Sequence, residues 1–462
     1  MENRKMKVKI IITLSLMFFS TLAYCQIIPT KSNLEVGFGI VDISGDSAVI
    51  LDPIHVKAVV LRQGAEQIAL VECDQTGVST ELTTSARQIA SLKTGIPYGN
   101  ICVAATHTHM ASPTKDIKSA VVQAISEAQA NLKPVKLKSA LGQQFNVSFN
   151  RRYFMKDGSV VFNPMFLNPD IVRPAGPIDP EVGIVIFYDV ATNKPVSGLI
   201  NFALHLDIVK EYGAVYQKSG PGSRNSVSAD YPYWIETSLR KDFGKTFNSI
   251  FFTGCCGNIN HWDFSKPGPQ SGHMTKSKQV GDSLYSSISR ALPTAIEEIP
   301  SLASRSRVLY VPLQSFTAED LAWAKSVKSS SLSGKSEEPG ERKQFLDNVK
   351  RRRILWLDEQ KQKGIVSVPL DVQVFRLSDN TAIVTLPGEM FVEYGLTIKN
   401  FSPFDNTIIV ELANNGVSYV PNKKAFSQGG YEVENSRLAP GGGEILAEAA
   451  IQMLKELKND AK

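Results

Sequence analysis

The chain has 462 residues, 43% hydrophobic and 21% charged, ordinary values for a globular enzyme. Lys and Arg number 50 against 45 Asp and Glu, a formal charge of +5. Residues 1–25 hold four basic residues and one acidic residue, so without them the charge falls to +2, and no basic field of the kind nucleic acids require remains.

Residues 1–25 read as a targeting segment. Arg4, Lys5, Lys7 and Lys9 make a basic start, Ile10 to Phe19 an apolar core, and Ala23-Tyr24-Cys25 a cleavage site. The apolar run is too short to cross a bilayer as a stable helix. Export with cleavage near Gln26 is expected, periplasmic or secreted, with no transmembrane span in the mature chain. Lipid anchoring at Cys25 is the alternative, and the bulky Tyr24 argues against it. Residues 26–462 then form one domain, since large α/β enzymes often exceed the usual prior of about 150 residues. Cys73, Cys102, Cys255 and Cys256 are too few for a disulfide scaffold, and the first two sit in apolar runs as buried thiols would.

In chain order, residues 34–44 read as a strand. Residues 56–62 and 67–73 read as a hairpin turned at Gly64-Ala65, with Asp74 at its tip. Thr80 to Leu92 is helical and stops at Gly95-Ile96-Pro97. Ile101 to Ala105 is a buried strand running into Thr106-His107-Thr108-His109, which holds two of the six histidines. Residues i and i+2 of a strand share a face, so His107 and His109 are expected to face one cavity. Imidazole is the commonest side-chain metal ligand, and the alternative is two polar residues in a loop. Ile117 to Leu132 is helical, and residues 135–148 read as a strand pair. Asn150-Arg151-Arg152-Tyr153 suits an anionic or sugar-like group, or else a solvated turn. Gly183 to Asp189 and Val196 to Leu204 are apolar strands, the second ending at His205. Residues 210–232 form a long polar loop, of a kind often functional. A helix follows, with Asp230 near its start.

The strand Ile250 to Thr253 runs into Gly254 to Asp263, a glycine-flanked turn containing Asn258 and Asn260. Residues 317–365 are charged and helical with a break at 333–341. Val368 to Leu377 and Thr381 to Leu386 make a second hairpin ending in Pro387-Gly388-Glu389. Thr407 to Leu412 is a strand leading to Asn414 through Pro421, and Glu444 to Leu457 is a terminal amphipathic helix. Polar residues thus recur at strand tips, where α/β folds bind ligands. Two histidines, a carboxylate and an open position would suit catalytic zinc, which lowers the pKa of water toward ~7. No nucleophile elbow, P-loop or dinucleotide fingerprint is present.

Motifs in this order resemble the catalytic domain of the neutral (alkaline, non-lysosomal) ceramidases. They are Gly37 to Ile43, Thr106 to His109, Asn201 to His205, Ser228-Ala229-Asp230, Gly257 to Asn260, Leu386 to Glu389 and Asn415 to Tyr419. The resemblance spans about residues 34–457. It implies an α/β fold, a single ceramidase-like catalytic domain of mixed β-sheets flanked by helices with the site at strand ends. It implies Zn²⁺ held by His107, His205, Glu389 and Tyr419, with His109 and Asp230 beside it as catalytic residues. It implies substrate contact at Arg151, with Asn258 as a further substrate-binding residue. The family's serine nucleophile stands where this chain has Asn260, which with backbone N–H groups would hold an oxyanion. The family's further C-terminal β-rich domain is expected to be missing. The expected function is hydrolysis of an N-acyl amide by metal-activated water, on a lipid or other small-molecule substrate. The alternatives are a carbohydrate-linked (glycan) or ester bond, and a non-catalytic ligand-binding relative.

Overall fold

The computed structural model describes residues 33–45, 49–111, 116–209, 226–268, 273–327 and 339–460. The targeting segment, residues 210–225 of the 210–232 loop and most of the 333–341 break lie outside them. Among the described residues no helix is long and apolar enough to cross a membrane.

The alternating apolar pattern of residues 35–73 folds into three antiparallel strands, Glu35–Asp42, His55–Gln63 and Glu66–Cys73. They sit within one large sheet. Its strand order is Asn248–Thr253, Pro195–Phe202, Glu181–Asp189, Lys133–Gln143, Glu35–Asp42, His55–Gln63, Glu66–Cys73, Ile101–Ala105, with Ile296–Glu298 added against Lys133–Gln143. The two outermost pairs are parallel and the inner pairs antiparallel. A second sheet holds Pro300–Pro312, Ser367–Ser378, Thr381–Thr385 and Asn406–Val410, its last pair parallel.

Period-two alternation assigns each strand a face toward helices and a face toward the other sheet. Val59, Leu61 and Leu70 point inward with Phe187 and Phe252, against Phe375, Ile383 and Ile408 of the second sheet. Val60 and Val71 point outward, under the helices Thr80–Thr94 and Ile117–Ala130. The helices Tyr231–Phe243 and His273–Ala291 cover Ile184 and Ile200. Val392–Phe401 and Gly442–Asn459 cover Val374 and Val384 of the second sheet. The result is four layers, helix–sheet–sheet–helix. Each fully buried Leu, Ile or Phe contributes roughly 1.5–3 kcal/mol.

Two stretches differ from the sequence expectation. Residues 133–143 form one long strand rather than a pair, because the neighbour comes from Glu181–Asp189, distant in the chain. The helix His273–Ala291 and the strand Pro300–Pro312 were not among the elements expected from the sequence. That strand leaves Arg305 exposed and Arg307 half-buried, so its alternation is interrupted by charge.

What matters for function is where strands end. Thr253 Oγ1 donates to the Thr106 carbonyl at 2.7 Å, and the Glu411 amide donates to the Thr253 carbonyl at 3.0 Å. Asn201 Nδ2 donates to the Phe252 and Ile409 carbonyls at 2.7 and 2.8 Å. These bonds tie the C-terminal ends of strands from both sheets together. The segments carrying His107, His205, Gly257 and Glu389 all leave from this seam.

Candidate metal centre

The strand Ile101–Ala105 ends one residue before Thr106, whose amide still follows the ladder by donating to the Cys73 carbonyl at 2.9 Å. The chain then turns at His107, which adopts φ 75°. A non-glycine residue there is strained by about 1–3 kcal/mol and is characteristic of functional sites. The two histidines do share a cavity, as expected, but the turn rather than strand alternation brings them together. His107 Nε2 lies 3.4 Å from His109 Nε2. Asp74, another polar strand tip, serves the backbone instead. It accepts from the His55 amide at 2.7 Å and from Thr106 Oγ1 at 3.3 Å.

His205 joins the same cluster, its ring centroid 4.6 Å from that of His107. Its Nδ1 donates to the Cys256 carbonyl at 2.8 Å, and His107 Nδ1 donates to the Thr76 carbonyl at 2.5 Å. A carbonyl only accepts, so both rings carry their proton on Nδ1. Burial first, then Arg151 and His107, push the His205 pKa down to about 4, so this imidazole is neutral near pH 7. Its Nε2 lone pair then faces the cavity, as a metal ligand must.

Glu389 faces both rings. Its Oε2 lies 3.3 Å from His107 Nε2 and 3.4 Å from His205 Nε2. Oε2 is buried with no hydrogen-bond partner. Acceptor atoms from two imidazoles and a carboxylate therefore converge within 3.4 Å, an arrangement that fits a cation. His107, His109 and His205 form a group whose ligand nitrogens lie within 4.8 Å of one another and could hold a metal ion. The distances to Glu389 bring a carboxylate into the same place.

Tyr419 is brought to Glu389 by the backbone. The two residues are register partners in the parallel bridge between Glu389–Met390 and Tyr419–Val420. The Pro387-Gly388 turn makes this possible. Gly388 has φ 72°, and a Cβ there would lie 2.5 Å from the Ser418 carbonyl oxygen. Burial pushes the Tyr419 phenol well above its ordinary range, while Arg151 pulls the other way.

Arg151 closes the site from the far side. Its Nε donates to Glu432 Oε1 at 2.8 Å, its Nη2 donates to the Gly257 carbonyl at 2.8 Å, and its Nη1 lies 3.3 Å from His205 Nε2. The guanidinium also sits over the rings of Tyr419 and Tyr431, 5.2 and 5.7 Å from their centroids. Arg152 Nη1 takes the other oxygen of Glu432 at 2.7 Å. The adjacent arginines are thus a buried pair on one carboxylate, and the solvated-turn alternative is set aside.

The remaining expected residues have structural partners. Asn258 accepts from the Val392 amide and donates to Glu393 Oε2, both at 2.9 Å, so its side chain faces the wall beneath helix Val392–Phe401. Asn260 Nδ2 donates to Asn163 Oδ1 at 2.7 Å, and its Oδ1 accepts from the Trp262 amide at 3.0 Å. Asp230, at φ 61°, precedes its helix but does not cap it. Instead its Oδ2 accepts from the amides of Ile208 and Val209, at 2.9 and 3.2 Å, and holds the turn after His205. Burial pushes its carboxyl up to about 7.

Sequence reasoning missed Glu411, Glu432 and Cys256. The Cys256 thiol donates to Glu411 Oε1 at 2.9 Å and lies 3.2 Å from His205 Nδ1, so a fully buried carboxyl backs the His205 ring. The signal for Glu411 was present, since it is a lone charge at the tip of an apolar strand. Glu432 had no such signal in a mixed helical segment. Cys73, Cys102, Cys255 and Cys256 are free and buried, as expected for the first two.

The four-layer fold is ceramidase-like. A structure of neutral ceramidase from Pseudomonas aeruginosa superposes with a TM-score of 0.67 at 18% identity, covering 93% of this chain and 75% of that one. A second structure, described as a ceramidase complexed with C2, superposes with a TM-score of 0.66 at 17% identity, covering 93% and 76%. No protein-family model and no curated protein sequence matches the chain.

Proposed function

We propose that this chain is a zinc-dependent hydrolase of N-acyl amides, with His107, His205, Glu389 and Tyr419 holding the ion. The observation that carries this is the unpartnered Glu389 Oε2 facing two imidazole nitrogens at 3.3 and 3.4 Å. Two imidazole nitrogens and a carboxylate form the three-ligand set of a catalytic zinc site, whose coordination can expand to take the Tyr419 phenol beside water or substrate. A bound ion would polarise the scissile carbonyl and lower the pKa of water beside it. The ceramidase-like fold and the motif order favour an amide of a fatty acyl chain, and the targeting segment favours reaction outside the cytoplasm.

The chain's own residues take these roles. Thr76 and Cys256 carbonyls fix the tautomers of His107 and His205. Arg151 Nη1 faces the lone pair that an ion would occupy, so ion binding leaves that N–H as a donor for a substrate oxygen. Glu432 keeps the guanidinium in place. His109 is half-buried, the most open of the three histidines, and suits contact with substrate. Asp230 positions the turn beyond His205. Asn260 cannot act as a serine-type nucleophile, so water attacks directly, with backbone N–H groups and one Asn260 N–H available to a developing oxyanion.

The test is release of free fatty acid from N-octanoyl-sphingosine and from N-acyl amino acids, beside acylated sugars and esters. Turnover of an amide, lost in His205→Ala with the circular dichroism spectrum kept, is expected. Turnover of esters or glycans alone would replace the amide reading. Binding without turnover would make the chain a ligand-binding relative.

A further inference from the structure

His261 follows Asn260 directly, and Asp207 lies two residues beyond His205. His261 Nδ1 is 3.0 Å from Asp207 Oδ1. The His261 side chain is fully buried, and that of Asp207 is 18% exposed. A carboxylate holding Nδ1–H leaves Nε2 as a bare acceptor. His261 Nε2 is buried and has no hydrogen-bond partner. Such an atom left unsatisfied costs about 1–3 kcal/mol, a penalty that a hydrogen-bonding ligand removes.

The pair sits between two segments that already line the centre. The Leu206 carbonyl, between His205 and Asp207, accepts from the His109 amide at 3.0 Å. On the other side, the Asn258 carbonyl accepts from the Arg151 amide at 2.9 Å, and Asn163, bonded to Asn260, donates its own amide to the Arg151 carbonyl at 2.7 Å. His205, Arg151 and the 258–260 turn are thus tied together, and Asp207 and His261 directly continue two of these segments, two residues beyond His205 and one beyond Asn260. The carboxylate–imidazole order matches that of a general acid–base pair, in which the acid holds the ring tautomer and the free nitrogen moves the proton.

We propose that Asp207 and His261 are the proton-transfer dyad of this site, standing in for the absent serine chemistry at Asn260. This assignment rests on the hydrolase reading above. His261 Nε2 accepts a proton from the attacking water as its oxygen bonds to the acyl carbon. The same proton passes to the leaving nitrogen as the C–N bond breaks, giving a carboxylic acid and an amine. Asp207 keeps the ring orientation and stabilises its protonated form. Water is the only co-reactant.

The experiment compares an N-acyl alkylamide, whose amine must be protonated to leave, with the matching N-acyl p-nitroanilide, whose amine leaves more readily. Wild type, His261→Gln and Asp207→Asn are measured on both, with metal content and circular dichroism alongside. General acid–base groups contribute about 10²–10⁴-fold. His261→Gln is expected to lose about 100-fold or more in kcat on the alkylamide, and at least about tenfold less than that on the anilide. Asp207→Asn should show the same bias with a smaller loss, and both variants should retain the wild-type metal. Equal losses on the two substrates, or none, overturn the dyad while leaving the hydrolase reading intact. Loss of metal in His261→Gln also overturns it, since the pair would then only frame the centre. A wild type silent on both amides fails the hydrolase reading itself, and the dyad with it.

Discussion

Glu389 and Tyr419 are register partners across a two-residue parallel bridge, although a helix and a strand separate them in the chain. Their pairing depends on the Gly388 turn. Gly388→Ala places a Cβ 2.5 Å from the Ser418 oxygen at a backbone angle that alanine disfavours. We expect destabilisation of about 1–3 kcal/mol and weaker metal retention. Thermal unfolding and dialysis against a mild chelator check this. An unchanged melting temperature with unchanged retention would mean the bridge does not control the site.

Glu432 is the buried counter-ion of two arginines, its side chain 0% exposed and theirs 6% and 2%. Removing one partner of such a group leaves charge uncompensated, at about 3–5 kcal/mol. Glu432→Gln should therefore unfold at markedly lower denaturant concentration. It should also release Arg151 from its position at His205, lowering kcat on any amide substrate in protein that remains folded. A midpoint equal to wild type would contradict this role.

Two buried carboxyls predict how stability varies with pH. Asp52 accepts from Ser228 Oγ and the Ala229 amide, both at 2.6 Å, and burial still pushes its pKa up to about 7. The unfolded value is about 3.9. A raised carboxyl favours the fold in its protonated form. Its contribution is thus complete below pH ~4 and is lost as pH rises through ~7, on the order of 4 kcal/mol in all. Asp230 shifts in the same direction, also to about 7. Unfolding free energy should fall between about pH 4 and 7, and Asp52→Asn should flatten that slope. A slope equal to wild type would show that Asp52 is ionised in the fold.

Elements with strong local patterns were legible in the sequence. The hairpin His55–Gln63 with Glu66–Cys73 turns at Gly64-Ala65 as its residues dictate, and the helix Thr80–Thr94 runs from Ser79 to Gly95, which cap it. The strand-tip residues His107, His205 and Glu389 were legible as candidates because each interrupts an apolar run. Their convergence was not, since it depends on the seam between two sheets and on the left-handed turn at His107. Asn258 and Asp230 were read as site residues, and the groups their side chains bond, the Val392 amide and Glu393 for one and the Ile208 and Val209 amides for the other, are revealed by no local pattern. Glu432 and the Asp207–His261 pair depend on contacts between distant segments, and spacing carries no signal for these.

The most direct test of the account is metal content per chain, by elemental analysis, for wild type and His107→Ala purified side by side without added metal. About one zinc per wild-type chain is expected, and loss of it in the variant with the fold kept. Wild type and variant both without tightly bound metal would contradict it. The convergence of His107, His205 and Glu389 would then be a polar core rather than a metal centre.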